Sequence, residues 1–137
     1  MMEAFNVNVS NLIHAKLGKW NENVMLTLDE ETSLHIPPEH QNKLSHYIDS
    51  DIIFGIRPEF VSIADNDEMF NVIDAQLVAF HDKNGSQYQE FSIGNNKVIC
   101  RSEKNINEHS IGQLFKLNFD TYFGHIYDRE TEENLTI

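Results

Sequence analysis

The sequence predicts an all-β chain, folded as a small barrel or sandwich with one short helix. Three observations carry that expectation. Apolar and polar residues alternate in several segments, only one stretch has helical periodicity, and turn residues recur at short intervals. Together they give about eight or nine short strands in a single domain spanning residues 1–137.

Phe5, Val7 and Val9 alternate with Asn6, Asn8 and Ser10, a half-buried strand that Leu12 to Leu17 continue. Gly18 and Asn21-Glu22-Asn23 predict a turn. Val24, Leu26 and Leu28 form the next strand, and Leu34 with Ile36 a short one ended by Pro37-Pro38. Pro38 to Ile48 is the helix candidate, because prolines suit a first turn and Leu44, Tyr47 and Ile48 make one apolar stripe. Ile52 to Ile56 is a continuous apolar strand stopped by Arg57-Pro58. Phe70 to Phe80 alternates again. Asp82-Lys83-Asn84-Gly85 is a hairpin turn, Tyr88 to Ile93 the return strand, and Gly94-Asn95-Asn96 turns the chain into Val98-Ile99-Cys100. Asn105 to Gly112 reads as loop. Phe115 to Phe119 and His125 to Tyr127 are the last strands, followed by a polar tail that includes Glu130, Glu132 and Glu133.

Composition narrows the function classes. The hydrophobic fraction of 40% suits a globular core, and the formal net charge is -12. Nucleic acid needs clustered Lys and Arg to neutralise phosphates, so this balance opposes it, as it opposes an anionic membrane surface. No apolar run approaches the roughly 18 residues of a membrane span, and Met1 to Phe5 shows no signal-peptide pattern. The expectation is a cytoplasmic domain. Asn8, Asn84 and Asn134 open glycosylation sequons that have no meaning without secretion.

Chemistry-bearing residues are sparse. The single Cys100 excludes an internal disulfide and reads as a small buried residue at strand spacing from Val98. The seven histidines match no metal spacing; His35, His40 and His46 form the nearest set, around the helix. Asp65, Asp67 and Glu68 lack the spacing and glycine of a calcium loop. Neither a phosphate-binding glycine loop nor a catalytic motif is present, so no catalytic residue, cofactor site or metal site is expected in this chain.

Two stretches carry a family resemblance. One is Ile52-Ile53-Phe54-Gly55-Ile56-Arg57-Pro58-Glu59; the other is Leu117-Asn118-Phe119-Asp120 followed by His125-Ile126-Tyr127-Asp128-Arg129-Glu130-Thr131. They resemble the C-terminal regulatory region of ATPase subunits of carbohydrate-uptake ABC importers, of the maltose and glycerol-phosphate importer type. That region has an apolar strand running into Gly-Ile-Arg-Pro-Glu and ends with His-Leu-Phe-Asp and Glu-Thr-Gly. The Pro-Glu helix, the hairpin at Gly85-Ser86 and the strand ending in Arg101 follow in the family's order. Glu132 stands where the family has glycine, which predicts loss of a tight turn there.

The resemblance implies an OB-type, transport-associated (TOBE) barrel and a role in regulation and dimerisation. It also implies that an ATPase domain of about two hundred residues, with its ATP and Mg, lies outside this fragment. The implied partners are a second copy, the parent's own ATPase domain, through it the membrane permease subunits, and a regulatory protein, at the inner face of the membrane. The implied interface residues are Gly55, Arg57, Pro58, Glu59, Phe60, His125, Tyr127 and Asp128. Arg57 and Glu59, two apart, share a face of extended chain and suit a local ion pair. A second reading is a small-ligand sensor, since related barrels in molybdate-type importers bind oxyanions.

Overall fold

The computed structural model describes residues 11–29, 31–64, 71–83, 85–101 and 106–137. The strand expected at Phe5 to Val9, the acidic run Asp65 to Glu68 and the hairpin residue Asn84 lie outside them. Among the described residues, ten strands form two antiparallel five-stranded sheets. The first sheet contains β1 (Asn11–Trp20), β2 (Asn23–Thr27), β3 (Ser33–His35), β4 (Asp51–Ile56) and β10 (His125–Asp128), ordered β10-β4-β1-β2-β3. The second contains β5 (Val61–Ile63), β6 (Val72–Lys83), β7 (Ser86–Ile93), β8 (Asn96–Cys100) and β9 (Leu114–Phe119), ordered β5-β9-β6-β7-β8. The β6–β7–β8 meander is the one its turns predict. Its long strand β6 pairs with β9 over its first part and with β7 beyond, and a register shift between Leu77 and Ala79 bends it between the two.

Both sheets bury one face against a shared core. Ile13, Leu17, Leu26, Phe54 and Ile56 come from the first sheet, and Leu77, Phe91, Leu117 and Phe119 from the second. The period-two alternation of the sequence is therefore the inside–outside alternation of these strands.

The two sheets meet at seams where one strand runs past its neighbour, and side-chain carboxamides close these seams. Pairing of β2 with β1 begins at Lys16, which leaves the opposite edge at Asn11 to Ala15 without a strand. There Asn11 donates to the Ile99 carbonyl at 2.7 Å and accepts from the Ile99 N–H at 2.8 Å. In the other direction, Asn96 accepts from the His14 N–H at 3.1 Å and donates to the His14 carbonyl at 3.4 Å. At the second seam Asn71, at the start of β6, bonds both backbone groups of His35 on β3. Gln41 does the same for Val24, beyond the reach of β3. In each case an amide side chain supplies the N–H and C=O that a neighbouring strand would have offered, and it satisfies groups that are costly to leave unpaired.

Several expectations need correction. The predicted turn at Gly18 is strand; β1 runs through it to Trp20, and the turn falls on Asn21 and Glu22, with φ of 47° and 73°. The helix of residues 38–48 is segmented. Turns of 3-10 type, Pro38–His40 and Ser45–Tyr47, flank an α-helix α1 (Gln41–Leu44) of four residues. None of the three has a side-chain N-cap, and so short a helix gains little against its nucleation cost. Its apolar stripe holds: Leu44 is fully buried, with Tyr47 and Ile48 packed on the core. Val61–Ile63, not expected as a strand, is β5.

The C-terminal residues are not a free polar tail. The chain turns after β10 and comes back along its edge. The Leu135 N–H bonds the Ile126 carbonyl at 2.7 Å, the Asp128 N–H bonds the Glu133 carbonyl at 2.9 Å, and the Leu135 side chain is fully buried. Asp128 holds the turn by accepting from the backbone N–H groups of Glu130 and Thr131. The Thr131 and Glu130 bonds keep its carboxyl below the usual aspartate range. That stabilisation is present above the ordinary aspartate pKa and is lost as pH falls through the depressed one. The tight turn persists without glycine, because Glu132 itself takes a left-handed φ of 64°. Glu132→Gly is therefore expected to stabilise the fold by up to about 1 kcal/mol, read as a higher urea midpoint at unchanged slope. A lower midpoint would show that the Glu132 side chain contributes more than its backbone costs.

Candidate functional site

The two stretches that carry the family resemblance meet in space. Strands β4 and β10 pair with His125 opposite Gly55 and Tyr127 opposite Ile53. The chain leaves the first sheet at Arg57–Phe60 and re-enters it at Asp120–Gly124, so its two crossings lie side by side. The Asp120 N–H bonds the Phe60 carbonyl at 3.0 Å. Pro58 is buried, and its carbonyl accepts from the Arg101 N–H at 3.1 Å. Arg57 Nε and Glu59 Oε2 form the expected local ion pair at 3.1 Å, about half exposed on each side. At that exposure the pair is worth roughly 0–1 kcal/mol. It shapes the loop rather than holding the fold.

Aromatic rings cover the crossings. Phe60 and Phe123 stack with centroids 4.4 Å apart, and Tyr122 meets Phe123 edge-on at 5.4 Å. His125 and Tyr127 lie on β10 with their ring centroids 6.4 Å apart. The free edge of β10 is covered by the returning C-terminus, where Tyr127 bridges Asn134. An interface at His125 and Tyr127 must therefore use side-chain faces, because no strand edge is open there.

Gly124 permits this arrangement. A Cβ at that position would overlap the ring of Phe54, which is itself buried. Gly124→Ala is expected to cost about 1–3 kcal/mol by overpacking. Thermal unfolding at an unchanged Tm would mean that the two crossings can separate freely.

Beside the aromatic cover lies an open cleft of about 590 Å³. Buried Ile36 and Phe119, the pair Pro37 and Pro38, and the segment Asp120 to Tyr122 line it, with the amides of Asn23 and Asn118 among its polar groups. Thr121 donates to the His35 carbonyl at 3.0 Å and accepts from Asn71 at 3.1 Å, which fixes the Asp120–Tyr122 segment against β3. Tyr122 is 64% exposed. Sequence reasoning missed this cleft. The only local signal was a polar–aromatic run, Asp120-Thr121-Tyr122-Phe123, ending in a glycine.

The remaining candidates stay apart. Among the described residues no three His, Cys, Asp or Glu side chains converge as a metal set would require. Cys100 is buried, its Sγ 3.7 Å from Gln89 Oε1, and burial pushes its thiol up to about 12, so it is protonated and unreactive at neutral pH. No described helix is long and apolar enough to cross a membrane.

The family model for the MalK OB fold domain matches residues 11–61, which run from β1 through the Gly55–Glu59 motif. Among solved structures, the chain resembles the cytoplasmic molybdate-binding protein ModG in a molybdate-bound form. The TM-score is 0.62 at 8% identity, over 89% of this chain and 98% of that one. The fold is of OB type. No curated protein matches the chain in sequence. The family match covers less than half of the chain and the ModG likeness is one of fold, so both bear on architecture before function.

Proposed function

We propose that this chain is the regulatory and dimerisation domain of an ABC-transporter ATP-binding subunit that serves import of a sugar or related solute. The observation that carries the reading is the MalK OB-fold match through Gly55–Glu59, together with the pairing of that motif's strand with the second resembling stretch on β10. In this reading the chain performs no catalysis and holds no cofactor of its own. ATP and Mg act in an ATPase domain of the same parent, at the inner face of the membrane. Two copies associate through the region of Arg57, Glu59, Phe60, His125 and Tyr127, and the assembly engages permease subunits through the ATPase domains.

The charge of -12 on each copy opposes association at low salt. Association of the isolated domain is therefore expected to be weak and to strengthen with added salt, measured by sedimentation at low and high ionic strength. Attached ATPase domains would raise the effective concentration. A strict monomer at millimolar concentration in high salt, unchanged by Tyr127→Ala, would count against dimerisation. The class is tested separately by sequencing the endogenous polypeptide. An ATPase domain on the same chain supports the reading, and its absence overturns it.

The fold likeness to ModG favours a second reading, an oxyanion-binding domain. Against it, no lysine or arginine lines the cleft among the described residues. Of its lining amides, Gln41 donates to the Val24 and Ile36 carbonyls, and Asn71 to the His35 carbonyl and the Thr121 hydroxyl.

A further inference from the structure

The cleft beside the crossings has a chemistry of its own. Asp120 opens the 3-10 turn Thr121–Phe123 yet makes no side-chain cap bond to it. Its exposed carboxylate has no hydrogen-bond or ion-pair partner among the described residues. Two residues on, the largely exposed Tyr122 also lines the cleft. A ring this exposed would ordinarily be mobile, but Tyr122 is braced edge-on by Phe123, which in turn stacks on Phe60. Thr121 between them is pinned to Asn71 and to the His35 carbonyl. An unpartnered carboxylate and a braced aromatic ring thus line the same cleft as the apolar Ile36, Phe119, Pro37 and Pro38.

We infer that this cleft binds an organic cation, a guanidinium or ammonium group on an apolar stem. The stem packs on Ile36, Phe119 and the prolines, the charge meets Asp120, and the Tyr122 ring adds a cation–π contact. The rest of the molecule points the same way. The net charge of -12 draws cations towards it. Of the lining amides, Gln41 is spent on the Val24 and Ile36 carbonyls and Asn71 on the His35 carbonyl and Thr121, and no lysine or arginine lines the cleft among the described residues, so an anion would meet no fixed positive charge from those side chains. A neutral apolar ligand would leave the charge of Asp120 without a partner and partly strip its water. The volume of about 590 Å³ accommodates an arginine side chain with neighbouring backbone. The inference does not depend on the transporter reading.

The test is a titration of the ¹⁵N-labelled chain with N-acetylarginine amide and, in parallel, N-acetylcitrulline amide, which keeps the shape without the charge. The arginine derivative is expected to bind in the millimolar range with saturable shifts at Asn23, His35, Thr121 and Tyr122, and citrulline to shift them little. Asp120→Asn should weaken binding at least about fivefold, and Tyr122→Ala should weaken it while Tyr122→Phe keeps it. Glu133→Gln, which removes the same charge elsewhere, should leave it unchanged. A blocked pentapeptide with one central arginine separates the sources. Tighter binding than the amide assigns the site to a side chain of a partner protein, and equal binding assigns it to a free cation. The proposal is overturned if citrulline shifts the same residues equally, if the shifts centre on the Glu130–Glu133 turn, or if Asp120→Asn binds as well as the parent with an otherwise unchanged spectrum.

Discussion

Leu135→Ala should lower the unfolding free energy by about 2–5 kcal/mol, although the residue follows a run of polar and acidic positions. Polar surface segments usually tolerate change because they are poorly tied down. Leu135 is tied twice, by its backbone bond to the Ile126 carbonyl and by a side chain with no exposed surface. Truncation to alanine removes apolar contact with the core and leaves a cavity that the neighbouring strands cannot fully close. Ile137, 87% exposed, provides the control, and Ile137→Ala should stay within about 0.5 kcal/mol of the parent. Urea unfolding at unchanged slope measures both. A Leu135→Ala cost below about 1 kcal/mol would mean that residues 133–136 do not dock along β10 in solution.

The reason this docking was hidden in the sequence applies to much of the molecule. A lone leucine among Thr131, Glu132, Glu133, Asn134 and Thr136 has no periodicity to read, and the acids around it do stand in solvent. Strands with four or more alternating residues were legible, because inside–outside alternation is local. Val61–Ile63 was not, since no turn signal bounds it after Arg57-Pro58-Glu59, whereas the equally short β3 is marked by Leu34, Ile36 and the Pro37-Pro38 stop. The helix was legible as an apolar stripe on Leu44, Tyr47 and Ile48, but its segmentation depends on capping and on where Gln41 sends its side chain. The adjacency of the two resembling stretches agrees with the family order, yet only strand pairing places His125 opposite Gly55. The cleft was invisible for a stronger reason. Its lining comes from residues 23, 35–38, 41, 71 and 118–122, which share no local pattern and meet only when the two sheets close.

The seam amides are the extreme case of such long-range dependence, and Asn11→Asp should expose it with a loss of about 3–5 kcal/mol near neutral pH. Asn11 is 2% exposed and answers both backbone groups of Ile99, 88 residues away in sequence. An aspartate of the same shape still accepts from the Ile99 N–H, but its second oxygen faces the Ile99 carbonyl with no proton to offer. Asn11→Ala removes both bonds without placing a charge there. It should cost less, about 1–3 kcal/mol, because Ile99 is only partly buried and can recruit water. The two variants also differ in pH dependence. Burial beside a carbonyl raises the folded-state pKa of the introduced carboxyl above its unfolded value, so the Asp penalty is complete above the folded pKa. It shrinks as pH falls through that value, where the protonated acid regains a donor for Ile99. Between about pH 7 and about pH 5 the gap between Asn11→Asp and Asn11→Ala should therefore narrow, whereas a gap that holds constant or widens would mean that water, and not the carboxamide, closes the seam between β1 and β8.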